Sequence, residues 1–65
     1  MTPQELKSIR ESLGMSQRQL ARLLGIAEDR TVRRWEAGES IITGPVIFAM
    51  TALKQGYRPE GWADE

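Results

Sequence analysis

The sequence predicts an all-α domain, and three observations support this prediction. Apolar residues recur at spacings of three and four, glycines follow the segments that show this spacing, and no segment alternates apolar and polar residues as a strand would. The chain has 65 residues, enough for one small domain. We expect a compact fold of four to five helices over residues 1–56, followed by an extended tail over residues 57–65 that Tyr57 or Trp62 would pin in part.

The first two helices begin with the same sequence signal, a capping box. In a capping box the hydroxyl of the N-cap residue accepts a hydrogen bond from the backbone N–H three residues later, and the side chain of that later residue accepts one from the N-cap N–H. The two boxes are residues 2–5, with proline at the first helical position, and residues 16–19. Gly14 and Gly25 supply left-handed stops. The residues expected to form the inward stripes are Leu6, Ile9, Arg10 and Leu13 on the first helix, and Leu20, Leu23 and Leu24 on the second.

The second and third helices are short and are joined by a tight turn centred on Gly25 and Ile26. We expect the third helix over residues 29–37 and the fourth over residues 45–55, each followed by a glycine. Two helices joined in this way form a helix-turn-helix unit, here over about residues 16–36. The second helix of such a unit can enter the major groove of DNA, which is about 12 Å wide.

The net charge of the chain is zero, but its positive charge is concentrated in one segment. Residues 15–35 carry a net charge of +3 and residues 36–65 carry −3. The field of one face, rather than the sum over the chain, decides which partner that face attracts. The basic residues of the middle segment are all arginines, which suit phosphates and guanine edges, namely Arg18, Arg22, Arg30, Arg33 and Arg34.

A helical wheel gives the third helix two different sides. Val32 and Trp35 fall on one side, and the three arginines of this helix share the other. Ala37 lies on the arginine side, so nothing bulky there would keep a partner away. Exposed ion pairs with Glu28 or Asp29 would contribute only about 0–1 kcal/mol, which does not explain three arginines on one side. We therefore expect this side to contact DNA.

The composition removes several kinds of site. The chain has no cysteine and no histidine, so thiolate nucleophiles, imidazole bases and the usual zinc ligands are absent. A domain of this size also has little room for a substrate pocket. We expect no enzyme activity, no metal and no cofactor. No apolar run approaches the roughly 18 residues needed to cross a bilayer, and we expect a cytoplasmic protein without a membrane partner.

Several short strings in residues 15–38 together resemble the Cro/C1-type (Xre-like) helix-turn-helix family of phage repressors, antitoxins and restriction-modification controllers. The strings are Met15-Ser16-Gln17, Leu20-Ala21, Leu24-Gly25, Thr31-Val32 and Arg34-Trp35-Glu36, with Gly38. The resemblance implies a lambda-repressor-like fold and a sequence-specific regulator of transcription. It also implies a homodimer, acting as a repressor or autorepressor on an inverted-repeat operator in double-stranded DNA, in the nucleoid of a bacterial or phage-infected cell.

The resemblance suggests roles for individual residues. Residues at or beside its base-reading positions are Arg30, Thr31, Arg33 and Arg34, with Arg33 and Arg34 the first choices. Gln17 matches a contact at the start of the second helix, and Ser40 lies where a loop approaches the DNA backbone. From the residues themselves, Ser16 and Arg18 join Gln17 in a helical turn whose free N–H groups can hold a phosphate.

The chain departs from the family pattern in two places. Gly25 and Trp35 are ten steps apart where many members have nine, so the turn is one residue longer and the first residue of the third helix is left open. Only one helix follows the motif, where many members have two. We also expect the acidic residues Glu36 and Glu39 to face away from DNA, because phosphates would repel them.

The fourth helix is apolar around nearly its whole circumference. One face should close the core, and nothing else in the chain would cover the second, which favours a dimer. The residues expected at that interface are Val46, Phe48, Met50, Leu53 and Tyr57. A two-fold pair would place two third helices about 34 Å apart, one turn of DNA. The alternative is a four-helix core that uses both faces.

A second hypothesis for the function comes from the zero net charge, the acidic tail and the apolar fourth helix. The chain would then be a protein-interaction module, or an antitoxin-like adaptor, with weak or no DNA binding. A protein partner such as a toxin or a polymerase is compatible with either hypothesis. Salt dependence distinguishes them, since a protein that neutralises several phosphates loses affinity steeply as salt rises.

Overall fold

The chain folds into four α-helices over residues 1–60, which are the residues that the computed structural model describes. The helices are α1 (Pro3–Ser12), α2 (Gln17–Leu23), α3 (Asp29–Glu36) and α4 (Gly44–Lys54). Helix α2 packs against α3, and α1 packs against both α3 and α4. The all-α prediction is confirmed, and the expected bounds of α3 and α4 are right to within one residue.

Both predicted capping boxes are present. Thr2 Oγ1 accepts a hydrogen bond from the Glu5 N–H at 3.1 Å, and Glu5 Oε1 accepts one from the Thr2 N–H at 2.8 Å. Ser16 and Gln19 exchange the same pair of bonds, at 3.0 and 2.8 Å. An N-cap of this kind typically contributes about 1 kcal/mol. That is substantial for a domain of this length, whose total stability is on the order of 3–10 kcal/mol.

The core takes residues from all four helices and from the loop before α4. Its members are Leu6, Ile9, Leu20, Ala21, Val32, Trp35, Ile42, Met50 and Leu53. Three residues expected inside, Leu13, Leu23 and Leu24, are only half-buried. Leu23 and Leu24 lie at the edge of the core beside α4.

The core also changes the predicted dimer interface. Met50 is 0% exposed and Leu53 is 4% exposed, because both side chains close the core of their own protomer. Their assignment to a contact between protomers is therefore wrong. The other three residues of that prediction, Val46, Phe48 and Tyr57, are half-buried or exposed.

The segment after α4 is attached to the end of that helix. The Tyr57 N–H donates to the Ala52 carbonyl at 3.0 Å, and Arg58 Nη1 donates to the Leu53 carbonyl at 3.0 Å. The Tyr57 ring, expected to pin the tail, is mostly exposed. Trp62, the other residue expected to do so, lies outside the described residues, and the extended tail stays a prediction. No helix within residues 1–60 is both long and apolar enough to cross a membrane.

One cluster of charged and polar groups, the Arg10–Glu36 cluster, links α1, α2 and α3. Arg10 Nε donates to Glu36 Oε2 at 2.7 Å, and Arg10 Nη2 donates to Glu36 Oε1 at 3.1 Å. Arg10 Nη1 also donates to the Met15 carbonyl at 2.8 Å, and Gln17 Nε2 donates to Glu36 Oε1 at 3.0 Å. The Arg10 and Glu36 side chains are only 11% and 6% exposed. If either partner were removed, little water could reach the other charge to solvate it.

Opposing effects act on the pKa of Glu36 in this cluster. Burial raises that pKa, but the hydrogen bonds from Arg10 and Gln17, with the charges of Arg10 and Lys7, outweigh burial and hold it below its ordinary value. The hydrogen bonds to Glu36 likewise raise the pKa of Arg10. A carboxyl group with a lowered pKa stabilises the fold above its unfolded pKa, and that stabilisation disappears as pH falls through the folded pKa.

We therefore predict that Glu36→Gln lowers the free energy of unfolding at pH 7 by about 3–5 kcal/mol, because the buried Arg10 charge loses its partner. The difference from the wild type should shrink as pH falls below the ordinary glutamate pKa of about 4.3 and on through the lowered pKa of folded Glu36, where the wild-type carboxylate becomes protonated. Urea denaturation at pH 7, 5 and 3 measures both effects. Glu39→Gln is the control, because Glu39 is an exposed glutamate. This substitution should change the free energy of unfolding by less than about 0.5 kcal/mol. Equal stability of Glu36→Gln and wild type at pH 7 would contradict this role of the cluster.

Candidate nucleic-acid interface

Helices α2 and α3 form the helix-turn-helix pair. In the turn between them Gly25 has φ +74°, a conformation that other residues rarely adopt, and the Ile26 N–H donates to the Ala21 carbonyl at 2.8 Å. Helix α3 begins at Asp29, after Glu28 in an extended conformation. The longer turn is thus accommodated before α3 and does not disturb the helix itself.

Helix α3 has the two sides that the wheel predicted. Val32 and Trp35 lie in the core, while Arg30, Arg33 and Arg34 are exposed. Thr31, the remaining base-reading candidate, is half-buried. Because the buried side fixes the rotation of the helix, the exposed side has a defined orientation toward any partner.

The three arginines differ in their contacts within the protein. Arg30 Nη2 lies 3.2 Å from Glu28 Oε2, and both side chains are more than half exposed, so this pair is weak. The side chains of Arg33 and Arg34 have no hydrogen-bond or ion-pair partner among residues 1–60. These two guanidinium groups keep all their donors for an external acceptor.

The residues expected to contact phosphates lie at the start of α2 and after α3. Ser16 and Arg18 are exposed, and the Ser16 hydroxyl, which accepts the Gln19 N–H, still has its own hydrogen to donate. Gln17 is half-buried and gives one amide hydrogen to Glu36, so only its remaining donors can meet a phosphate. Ser40 is exposed in the loop after α3. Phosphate contact by these residues stays a prediction.

The two acidic residues expected to face away from DNA behave differently. Glu36 does turn inward, to Arg10. The sequence feature that indicates such a buried partner is Arg10 itself, the single charged residue in the inward stripe of α1. Glu39, by contrast, does not turn away from the arginine side of α3. After Gly38, at φ +77°, the chain turns back so that the Glu39 N–H donates to the Arg34 carbonyl at 2.9 Å. Glu39 therefore lines a hollow of about 340 Å³ whose other residues are Arg30, Arg33, Arg34 and Ala37.

A second surface, the α2–α4 groove, has the opposite chemistry. This groove of about 670 Å³ is lined mainly by apolar residues of α2, α4 and the segment after α4. Its exposed large apolar members are Phe48 at 80% and Tyr57 at 60%, and Leu23 and Leu24 form part of its wall.

Comparison with known proteins relates this architecture to a family. A helix-turn-helix family profile matches residues 6–53, from the first turn of α1 to nearly the end of α4. The Type II methyltransferase M.SsoII of Shigella sonnei is 45% identical over an alignment of 47 positions that covers 69% of this chain. The matched part is 12% of the methyltransferase, so the chain corresponds to a small part of that relative. No solved structure matches the chain. With α2 and α3 paired as described and the profile covering most of its length, the chain belongs to the Cro/C1-type helix-turn-helix family of DNA-binding domains.

Proposed function

We propose that this protein is a sequence-specific regulator of transcription that places α3 in the major groove of double-stranded DNA. The observation that carries the proposal is the exposed side of α3. There Arg33 and Arg34 have no partner among residues 1–60, while Val32 and Trp35 hold the helix from within. Arginine reads guanine through two hydrogen bonds, to O6 and N7, and a rigidly held helix presents it in a fixed position.

In this proposal Arg33 and Arg34 are the principal base readers, with Arg30 and Thr31 beside them. Arg30 would exchange its exposed contact with Glu28 for a contact with DNA, which costs little because the pair is weak. Residues that would hold the DNA backbone are Ser16, Gln17, Arg18 and Ser40. The Arg10–Glu36 cluster supports the arrangement, because it keeps the carboxylate at the end of α3 paired inside the protein.

Selection from a random duplex library at near-physiological salt tests the proposal directly. We expect the bound pool to be enriched in an inverted repeat with half-sites about 34 Å apart. Specific binding should weaken as salt rises but keep its sequence preference. Weak binding without enrichment, abolished by moderate salt, would contradict the proposal. It would favour the interaction module, for which the α2–α4 groove is the available surface.

We predict that Arg33→Ala relaxes base preference at one base pair of each half-site, by about 1–3 kcal/mol, because one two-bond contact with guanine is lost. Repeating the selection with this variant, and measuring its affinity for single-base operator variants, checks the prediction. Arg18→Ala is the matched control. It should weaken binding to all sequences alike and reduce the slope of log affinity against log salt by about 1. An unchanged base preference in Arg33→Ala would show that the role is wrongly assigned.

We further propose that two copies associate through the α2–α4 groove and act as a repressor by occupying the operator. Phe48 and Tyr57 expose apolar rings at the groove, beside the half-buried Leu23 and Leu24. Exposed apolar surface of this kind usually marks an association site. In a two-fold pair the Phe48 of each copy would contact the groove of the other copy. The same apolar surface would therefore be buried on both copies.

We predict that Phe48→Glu shifts the protein from dimer to monomer, because a charge would have to be buried in an apolar contact. Sedimentation velocity measures the shift, and circular dichroism confirms that the helices remain. Ile41→Glu is the control, since Ile41 is 88% exposed and is not among the residues that line the groove. A wild type that remains monomeric even on operator DNA, or a Phe48→Glu variant that remains dimeric, would refute this interface.

A further inference from the structure

We infer that Glu39 is a specificity-determining residue that reads the amino group of a cytosine in the operator. This inference rests on the proposed DNA-reading function. Glu39 follows the end of α3, and its N–H bond to the Arg34 carbonyl, at 2.9 Å, holds it against the last turn of the helix. It shares a hollow with the three arginines of α3 and with the small Ala37. A DNA groove that met those arginines would also meet this carboxylate.

The Glu39 side chain is exposed and unneutralised. No hydrogen bond or ion pair to it occurs within residues 1–60, although three guanidinium groups line the same hollow. An unpaired carboxylate beside phosphates is repelled by their charge. Binding is therefore unfavourable at this point unless the DNA presents a hydrogen-bond donor to the carboxylate.

The edges of the bases in the major groove limit what that donor can be. Guanine and thymine present only acceptors there, besides the thymine methyl group. Adenine presents its N6 amino group next to the N7 acceptor, which would repel one carboxylate oxygen. Cytosine presents its N4 amino group, and Glu and Asp are the side chains that accept from it. Glu39 thus favours cytosine close to the guanine that Arg34 would read.

Comparison of the wild type with Glu39→Gln in the duplex selection tests this inference. The wild type should enrich cytosine at one position of each half-site, and Glu39→Gln should lose that preference by about 5- to 150-fold. The variant should turn toward adenine, because glutamine can bond both N6 and N7. Glu60→Gln makes the same change of charge outside the hollow, and it should keep the cytosine preference.

An atom-deletion cycle then separates a direct contact from a general electrostatic effect. The selected cytosine is replaced by 2-pyrimidinone, which lacks the amino group, and both duplexes are titrated with wild type and with Glu39→Ala. If the carboxylate binds the amino group, the substitution weakens the wild type about 5-fold or more and leaves Glu39→Ala nearly unaffected. Equal losses for both proteins overturn the inference. A uniform gain of affinity by Glu39→Gln for every sequence, with base preference unchanged, also overturns it.

Failure of the proposed DNA-reading function and failure of the role of Glu39 give different results. A wild type that selects no sequence would overturn the proposed function itself. A wild type that selects an operator which Glu39→Gln reads identically would overturn only the role of Glu39.

Discussion

The pairing of Arg10 with Glu36 ties the end of α3 to the two helices that precede it. This carboxylate, at the last residue of α3, receives hydrogen bonds from Arg10 on α1 and from Gln17 at the start of α2. Arg10 is held in turn by the Met15 carbonyl, in the connection between α1 and α2. Apolar burial is non-directional, whereas these bonds have defined lengths and angles. The cluster therefore adds a directional constraint on the end of α3 to the apolar contacts of Val32 and Trp35, which decide the side of the helix that is exposed.

The parts of the fold that could be predicted are those whose signals are local. Each capping box needs only residues three positions apart, and the period of 3.6 residues separates Val32 and Trp35 from the arginines of α3. The expected range of α3 agrees with the helix that begins at Asp29, although the longer turn had left its first residue open, because a helical period fixes the rotation of a helix and not its first residue. The site was predictable to the same extent: the exposure of its arginines follows from the helical period.

The remainder depends on contacts between elements that no single segment encodes. Helix α4 is apolar on nearly every side, so its sequence could not show that Met50 and Leu53 would lie inside and Phe48 outside. Packing against α1 decides that choice. The location of Glu39 depends on the left-handed turn at Gly38, which reverses the chain toward the arginines. A helical wheel ends with the helix and carries no information about that reversal.

The residues proposed to read bases are separate from the residues that hold the fold together. Arg33 and Arg34 have no hydrogen-bond or ion-pair partner among residues 1–60, whereas Glu36, two positions after Arg34, is bonded to two other helices. Mutations on the exposed side of α3 are therefore nearly neutral for folding, and a lineage can accumulate them one at a time. A domain built in this way can evolve toward a new DNA target while its scaffold is inherited unchanged.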